Sequence, residues 1–293
     1  MKRATKRDLC GAFRRLSHWT WDESGTANRL GLVLNEETIT EMLLLKLAKQ
    51  FSGRGLKISS YTKPQEGRDT KKYGLATGAD WEFRFENGSN YGITVRIQAK
   101  RLFTKSGKYE GLDGTGSQIQ TLVANAGKSI PLYVFYNAPT SLPFFKRGRF
   151  SSLDEIYCGW PYFANENWGC AIAVPQDIPS IDRPRQDQVH QLPWHALICQ
   201  CRGDRSKRIQ RSITDLIAMN LREIYLARLD FDERESREPS RSFGDWSMPD
   251  FELNLDRPFW ANMILEGLEP ENLPEGVKGV ALIRENREAF ADD

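Results

Sequence analysis

No apolar run in this chain approaches the roughly 18 residues that a membrane span needs. Its basic opening, MKRATKRDLCGAFRRLSHW, has no continuous apolar stretch of the kind a secretory leader carries. An excess of one charge is lacking too: 41 Lys and Arg stand against 39 Asp and Glu, and a net charge of +2 neither demands nor forbids a nucleic-acid partner. The five cysteines follow no regular spacing and form no Cys-x-x-Cys pair. That excludes a disulfide framework and argues against zinc held by Cys158, Cys170, His190, His195, Cys199 and Cys201. A cytoplasmic chain in a reducing compartment is the expectation. There is no internal repeat, no low-complexity segment and no serine or cysteine nucleophile elbow. Ala126-Gly127-Lys128-Ser129 matches only the end of a phosphate loop, without its earlier glycine and with a strand where a helix should follow.

What is present is a core-forming composition. Of 293 residues 40% are hydrophobic and 27% charged, which suits one large globular domain or two small ones. Residues 8–17 are expected to form a short basic helix, followed by a connector through Gly31. In LNEETITEMLLLKLAKQF, Asn35 is placed as N-cap, acids fill the first turn where the helix dipole favours them, and Ile39, Met42, Leu43, Leu45, Leu47 and Ala48 make a largely buried helix. LKISSYT from Leu56 predicts a strand. A connector with glycines at 111, 114 and 116 leads to SQIQTLVANAG, a helix with a Ser117–Gln120 capping box, and PLYVFYN from Pro131 predicts a buried strand. Further on, CAIAVP and HALICQC pattern as strands, SITDLIAMNLREIYLARL as an amphipathic helix capped by Ser212, DERESREPSRSFGDWSMPD as a charged loop and GVALI as a last strand.

The most informative stretch is GADWEFRFENGSNYGITVRIQAKRL, Gly78 to Leu102. Side chains alternate across a strand, so odd and even positions face opposite ways. Ala79, Trp81, Phe83 and Phe85 alternate with Asp80, Glu82 and Arg84; Tyr91, Ile93, Val95, Ile97 and Ala99 alternate with Thr94, Arg96, Gln98 and Lys100. For both apolar faces to point the same way, opposed residues must share parity. A two-residue Asn87-Gly88 turn would pair odd with even and is excluded; a loop of about three or five residues is required. The longer loop sets Asp80 opposite Gln98 and one step from Lys100. A carboxylate, a side-chain carbonyl and an ammonium then converge on one face.

Asp80, then Gln98-Ala99-Lys100 on the next strand, with Glu37 or Glu41 on the preceding helix, resembles the PD-(D/E)xK (restriction-endonuclease-like) nuclease superfamily in a QxK variant. The runs EETIT, GADWEF, QAKRL and PLYVFY are similar to those of an uncharacterised bacterial family regarded as part of that superfamily. The resemblance spans Leu32 to Asn137 and implies an α/β fold: a mixed β-sheet flanked by helices in the order helix, three strands, helix, strand, with a C-terminal elaboration. It implies a Mg²⁺-dependent deoxyribonuclease, with Mn²⁺ as substitute, acting in restriction or anti-phage defence. Asp80, Gln98 and an acid of the helix would be the metal ligands, Glu37 first because it lies in EETIT and Glu41, one turn later, in reserve. Lys100 would orient or deprotonate the attacking water and stabilise charge at the phosphate. Gln118 corresponds to a glutamine that the superfamily often carries on the helix after the third strand. Most of the superfamily has Asp or Glu where Gln98 stands, and a neutral oxygen binds a hard cation less tightly.

DNA is the expected partner, and no membrane is. Lys146-Arg147-Gly148-Arg149 beside Phe144, Phe145 and Phe150, and Arg202, Arg205, Lys207, Arg208 and Arg211, are candidates for the phosphate backbone. A homodimer and a further defence-system subunit stay open, as do an RNase of the same fold and a non-catalytic nucleic-acid-binding or regulatory protein with a weakened metal site. Residues 1–31 are expected to be an N-terminal helical extension, 32–137 the nuclease core and 138–293 an elaboration packed on it.

Overall fold

The computed structural model describes residues 6–54, 56–62, 79–112, 117–139, 164–199, 212–234, 248–274 and 277–285. Helices α1 (Lys6–Arg29) and α2 (Glu36–Phe51) precede strands β1 (Leu56–Thr62), β2 (Trp81–Glu86) and β3 (Gly92–Arg101). Helix α3 (Ser117–Ala124), strands β4 (Ile130–Tyr136), β5 (Cys170–Ala173) and β6 (Leu192–Pro193), helices α4 (Ile213–Arg234) and α5 (Phe259–Leu265) and strand β7 (Gly279–Glu285) follow. The fold is α/β: one seven-stranded mixed sheet in the order β1-β7-β2-β3-β4-β5-β6, with helices on both sides.

The β2–β3 register is Trp81 opposite Ile97 through Glu86 opposite Gly92, which leaves residues 87–91 as a five-residue loop. Asn87 builds it: its Oδ1 accepts from the backbone N–H of Ser89 (2.9 Å) and Tyr91 (3.1 Å), and Asn90 takes the left-handed conformation at φ 69°. Same-parity pairing puts Trp81, Phe85, Val95 and Ile97 on the face covered by α1, α2 and α4. The even residues Asp80, Glu82, Arg84, Glu86, Thr94, Arg96, Gln98 and Lys100 are buried as well, under the side that carries α3 and α5. Burying that many polar groups requires partners. Arg84 supplies several: its Nε donates to Glu86 Oε1 (3.0 Å), Nη1 to Thr94 Oγ1 (3.1 Å) and Nη2 to the Asn254 carbonyl (3.0 Å). Arg257 Nε donates to the same Glu86 oxygen (2.6 Å), and Trp260 Nε1 to Glu82 Oε1 (2.8 Å).

The sequence left the neighbour of β1 open, and three further readings need correction. First, β1 does not pair with β2. Strand β7 lies between them, antiparallel to β1 and parallel to β2, and its nearly continuous apolar run GVALI suits a strand covered on both faces. Second, α1 continues through Arg29, across the stretch read as a connector, and its Leu9, Ala12, Phe13 and Leu16 enter the same core as α2. Third, Trp194–Ile198 is a 3₁₀ helix and not a strand. Asn220 on α4 explains why, because its Nδ2 donates to the carbonyls of Ala196, Leu197 and Cys199, each at 3.0 Å, and holds the turn closed. Fourth, Asn35 precedes α2 in extended conformation but makes no side-chain cap bond. Ser212 does cap α4, exchanging bonds with Asp215: N to Oδ2 at 3.0 Å, and Asp215 N to Oγ at 3.0 Å.

Two measurements check this arrangement. A Cβ on Gly279 would stand 2.8 Å from the Trp81 ring, which is 1% exposed and has nowhere to go. Gly279→Ala should therefore lower stability by about 1–3 kcal/mol in denaturant titration. Glu285 accepts from Thr214 N (2.8 Å) and Oγ1 (3.2 Å) at the start of α4, and burial pushes its carboxyl up from 4.5 to about 7. A folded-state value above the unfolded one favours folding fully below pH 4.5, and that contribution is lost as pH rises through 7. Glu285→Gln should remove this slope, worth roughly 3 kcal/mol, from stability measured between pH 4 and 8.

Candidate active site

At one end of the sheet β2 and β7 begin while β3 and β4 finish. The first turn of α2 is pinned over that end. Thr40 Oγ1 lies 2.5 Å from Tyr136 OH, and Glu36 accepts from the Arg101 backbone N–H through Oε1 (3.2 Å). The polar face of the hairpin reaches the same place.

Asp80 is the centre of this end. Its N–H donates to the Ile97 carbonyl (2.8 Å), and its own carbonyl accepts from the N–H groups of Lys278 (2.9 Å) and Gly279 (3.1 Å). Its carboxylate is divided: Oδ2 accepts from the Ala99 N–H (3.0 Å) and from the Gln98 amide nitrogen, while Oδ1 lies 2.7 Å from Lys278 Nζ. Gln98 thus turns its NH₂ to Asp80, and its Oε1 faces Gln118 Nε2 at 3.5 Å. Gln118, in the first turn of α3, keeps its own Oε1 buried with no hydrogen-bond partner among the described residues.

Lys100 is 7% exposed. Burial presses its ammonium below the ordinary lysine range, the charges of Asp80 and Glu36 work to hold it up, and that of Lys278 lowers it further. Glu37 is half-buried, with Oε1 2.7 Å from Lys278 Nζ. Burial works to raise its carboxyl, but the Lys278 hydrogen bond and charge, with the Glu37 backbone N–H, carry it below the usual value. Glu41 is exposed and shares no hydrogen bond or ion pair with this group among the described residues. The structure therefore brings together Asp80, Gln98, Lys100, Glu37 and, at longer range, Gln118, and leaves Glu41 outside. The basic runs at 146–149 and 202–211, the phenylalanines at 144, 145 and 150, Gly114, Gly116, Cys158, Cys201 and the side chain of Ser117 lie outside the described residues.

Two members of the group were not singled out from the sequence. Glu36 belongs to the same EETIT run as Glu37 and is aimed at the end of β3; only the rotation of α2 distinguishes the two. Lys278 comes from the entry to β7, 241 residues beyond Glu37, and bridges it to Asp80. Burial opposes the Lys278 ammonium, and the Asp80 and Glu37 carboxylates more than reverse this, holding it above the ordinary lysine range. No group of three or more His, Cys, Asp or Glu residues is arranged for a metal ion among the described residues. The donor chemistry nevertheless fits a hard cation. Two anionic oxygens, Asp80 Oδ1 and Glu37 Oε1, converge on one position that already holds positive charge.

The chain belongs to a family of unknown function (DUF6615), matched over residues 9–289. No curated protein and no solved structure matches it. Among the described residues no helix is long and apolar enough to cross a membrane.

The donor role of Gln98 is testable without any ligand. Gln98→Glu replaces an N–H donor to Asp80 with a second carboxylate and removes no volume. In metal-free buffer it should lower stability by about 1–3 kcal/mol, read from the shift of a denaturant midpoint, and equal stability would mean that Gln98 does not donate to Asp80.

Proposed function

We propose that this chain is a metal-dependent deoxyribonuclease of the PD-(D/E)xK superfamily in its QxK form, hydrolysing DNA phosphodiester bonds. The observation that supports the reading is the meeting of Asp80, Gln98 and Lys100 at the end of the β2–β3 hairpin with an acid of α2 beside them. The residues there divide the labour of the reaction. Asp80 and Glu37, with Gln98, would hold a Mg²⁺ ion, for which Mn²⁺ can substitute; bound there, it supplies Lewis acidity at the scissile phosphate. Lys100 meets the phosphate, orients the attacking water and offsets the charge that develops as the phosphorus–oxygen bond breaks. Its burial makes that charge count for more than it would in water. Gln118, whose Oε1 has no hydrogen-bond partner among the described residues, would accept a bond from the water.

The setting that goes with this reading is cytoplasmic restriction or anti-phage defence, and five cysteines without regular spacing fit a reducing compartment. A second reading has its own support. Lys278 stands on the cation position and Gln98 turns its NH₂ toward Asp80, which is what a nucleic-acid-binding protein with a weakened metal site would show.

Lys100→Ala separates the two. Loss of a positioned acid–base or electrostatic group lowers rate by roughly 10² to 10⁴, whereas affinity for DNA is spread over many phosphate contacts. Cleavage of plasmid, linear and single-stranded DNA and of RNA should be followed with Mg²⁺, with Mn²⁺ and with EDTA, on folded wild-type protein and variant at fixed salt. The nuclease reading expects metal-dependent DNA cleavage that collapses in the variant while binding persists. Binding without cleavage under every metal would establish the second reading, and preferential cutting of RNA would make the protein a ribonuclease.

A further inference from the structure

We infer that Lys278 is the resident counter-ion of this site: its ammonium occupies the position of a divalent cation and must withdraw before one binds. The inference rests on the metal-dependent reading and specifies how that metal site is regulated.

The geometry points to it in three ways. Nζ sits 2.7 Å from Asp80 Oδ1 and 2.7 Å from Glu37 Oε1, so a single positive charge satisfies both carboxylates that a cation would need. The peptide of Lys278 is fixed, because its N–H and that of Gly279 donate to the Asp80 carbonyl and Gly279 stands opposite Trp81 in the parallel β2–β7 register. The head is another matter. The Lys278 side chain is 48% exposed on a flexible four-carbon stem, so its ammonium can swing into water without leaving a buried charge behind. Lys100 contrasts with it: a lysine 7% exposed in the middle of a sheet cannot retreat in this way. The two lysines therefore have different parts, one fixed beside the carboxylates and one between them.

Competition follows from charge. A divalent cation and an ammonium cannot share the space between two carboxylate oxygens, so the affinity measured for the metal is reduced by the work of displacing Lys278. Until a metal arrives, Lys278 keeps Asp80 and Glu37 from repelling each other, and the site is assembled in its absence.

Mn²⁺ titration of the metal-free full chain by calorimetry, in the absence of DNA, tests the inference. Lys278→Gln should bind Mn²⁺ about tenfold more tightly than wild type, as expected when two competing, part-exposed ion pairs are removed. Adding Asp80→Asn to that variant should abolish the gain. Lys278→Arg, which keeps the charge, should bind no more tightly than wild type, and circular dichroism melts of each variant confirm folding. Should wild type bind Mn²⁺ in an Asp80-dependent way while Lys278→Gln binds it no better, the counter-ion role is overturned and the metal site stands. Should neither protein bind Mn²⁺ through Asp80, both the role and the metal-dependent reading fall. If Lys278→Gln is unfolded, Lys278→Met in the presence of saturating Mn²⁺ replaces it, and failure of Mn²⁺ to raise its melting temperature overturns the inference equally.

Discussion

Asp80 ties three strands to one point. Its backbone N–H is held by β3, its carbonyl by the first residues of β7, and its carboxylate by both, through the Ala99 N–H and Gln98 amide on one oxygen and Lys278 on the other. A carboxylate this well supplied with donors keeps one orientation. Everything else at this end of the sheet is arranged around it. Glu37 of α2 meets it through a shared lysine, Lys100 lies within reach of its charge, and Gln118 reaches it by way of Gln98. A change at Asp80 would therefore disturb strand pairing as well as chemistry.

The polar face of the hairpin divides into two halves with different duties. Away from the site, Glu82 is taken up by Trp260, and Glu86, fully buried, gathers Arg84 and Arg257. Buried ion clusters of this kind add little net stability but are costly to break, so they fix which segments pack together more than how strongly. Here they clamp residues 254–260 onto the outer side of the sheet. Near the site the polar groups are left with unspent capacity: Gln118 Oε1 has no hydrogen-bond partner among the described residues, and Lys100 is held by charge at a distance. That contrast distinguishes polar residues that build from those available to react.

How far this could be read from the chain depends on distance along it. Alternation of two residues fixes strand faces, and same-parity pairing then requires an odd loop. The odd loop follows from those two facts, and the opposition of Asp80 to Gln98 follows once the longer, five-residue loop is taken. The acid of α2 was half legible, since EETIT carries the charge but helical rotation decides whether position 36, 37 or 41 is aimed where. Lys278 was not legible. A lysine before an apolar strand is ordinary, and nothing local tells that the strand will enter the sheet between β1 and β2. The 3₁₀ turn at Trp194–Ile198 was hidden for a related reason, because the amide that closes it belongs to Asn220 on a helix yet to come.

The place of β7 in the middle of the sheet sets an order of events during synthesis. A ribosome emits Asp80, Gln98 and Lys100 long before residues 278–285, and until those emerge β1 and β2 have no strand to join them. A nascent chain of that length carries open strand edges, which invite pairing with other chains, and two carboxylates without their ammonium. A chain broken before that point would carry the acidic and basic residues of the hairpin without the strand that joins β1 to β2.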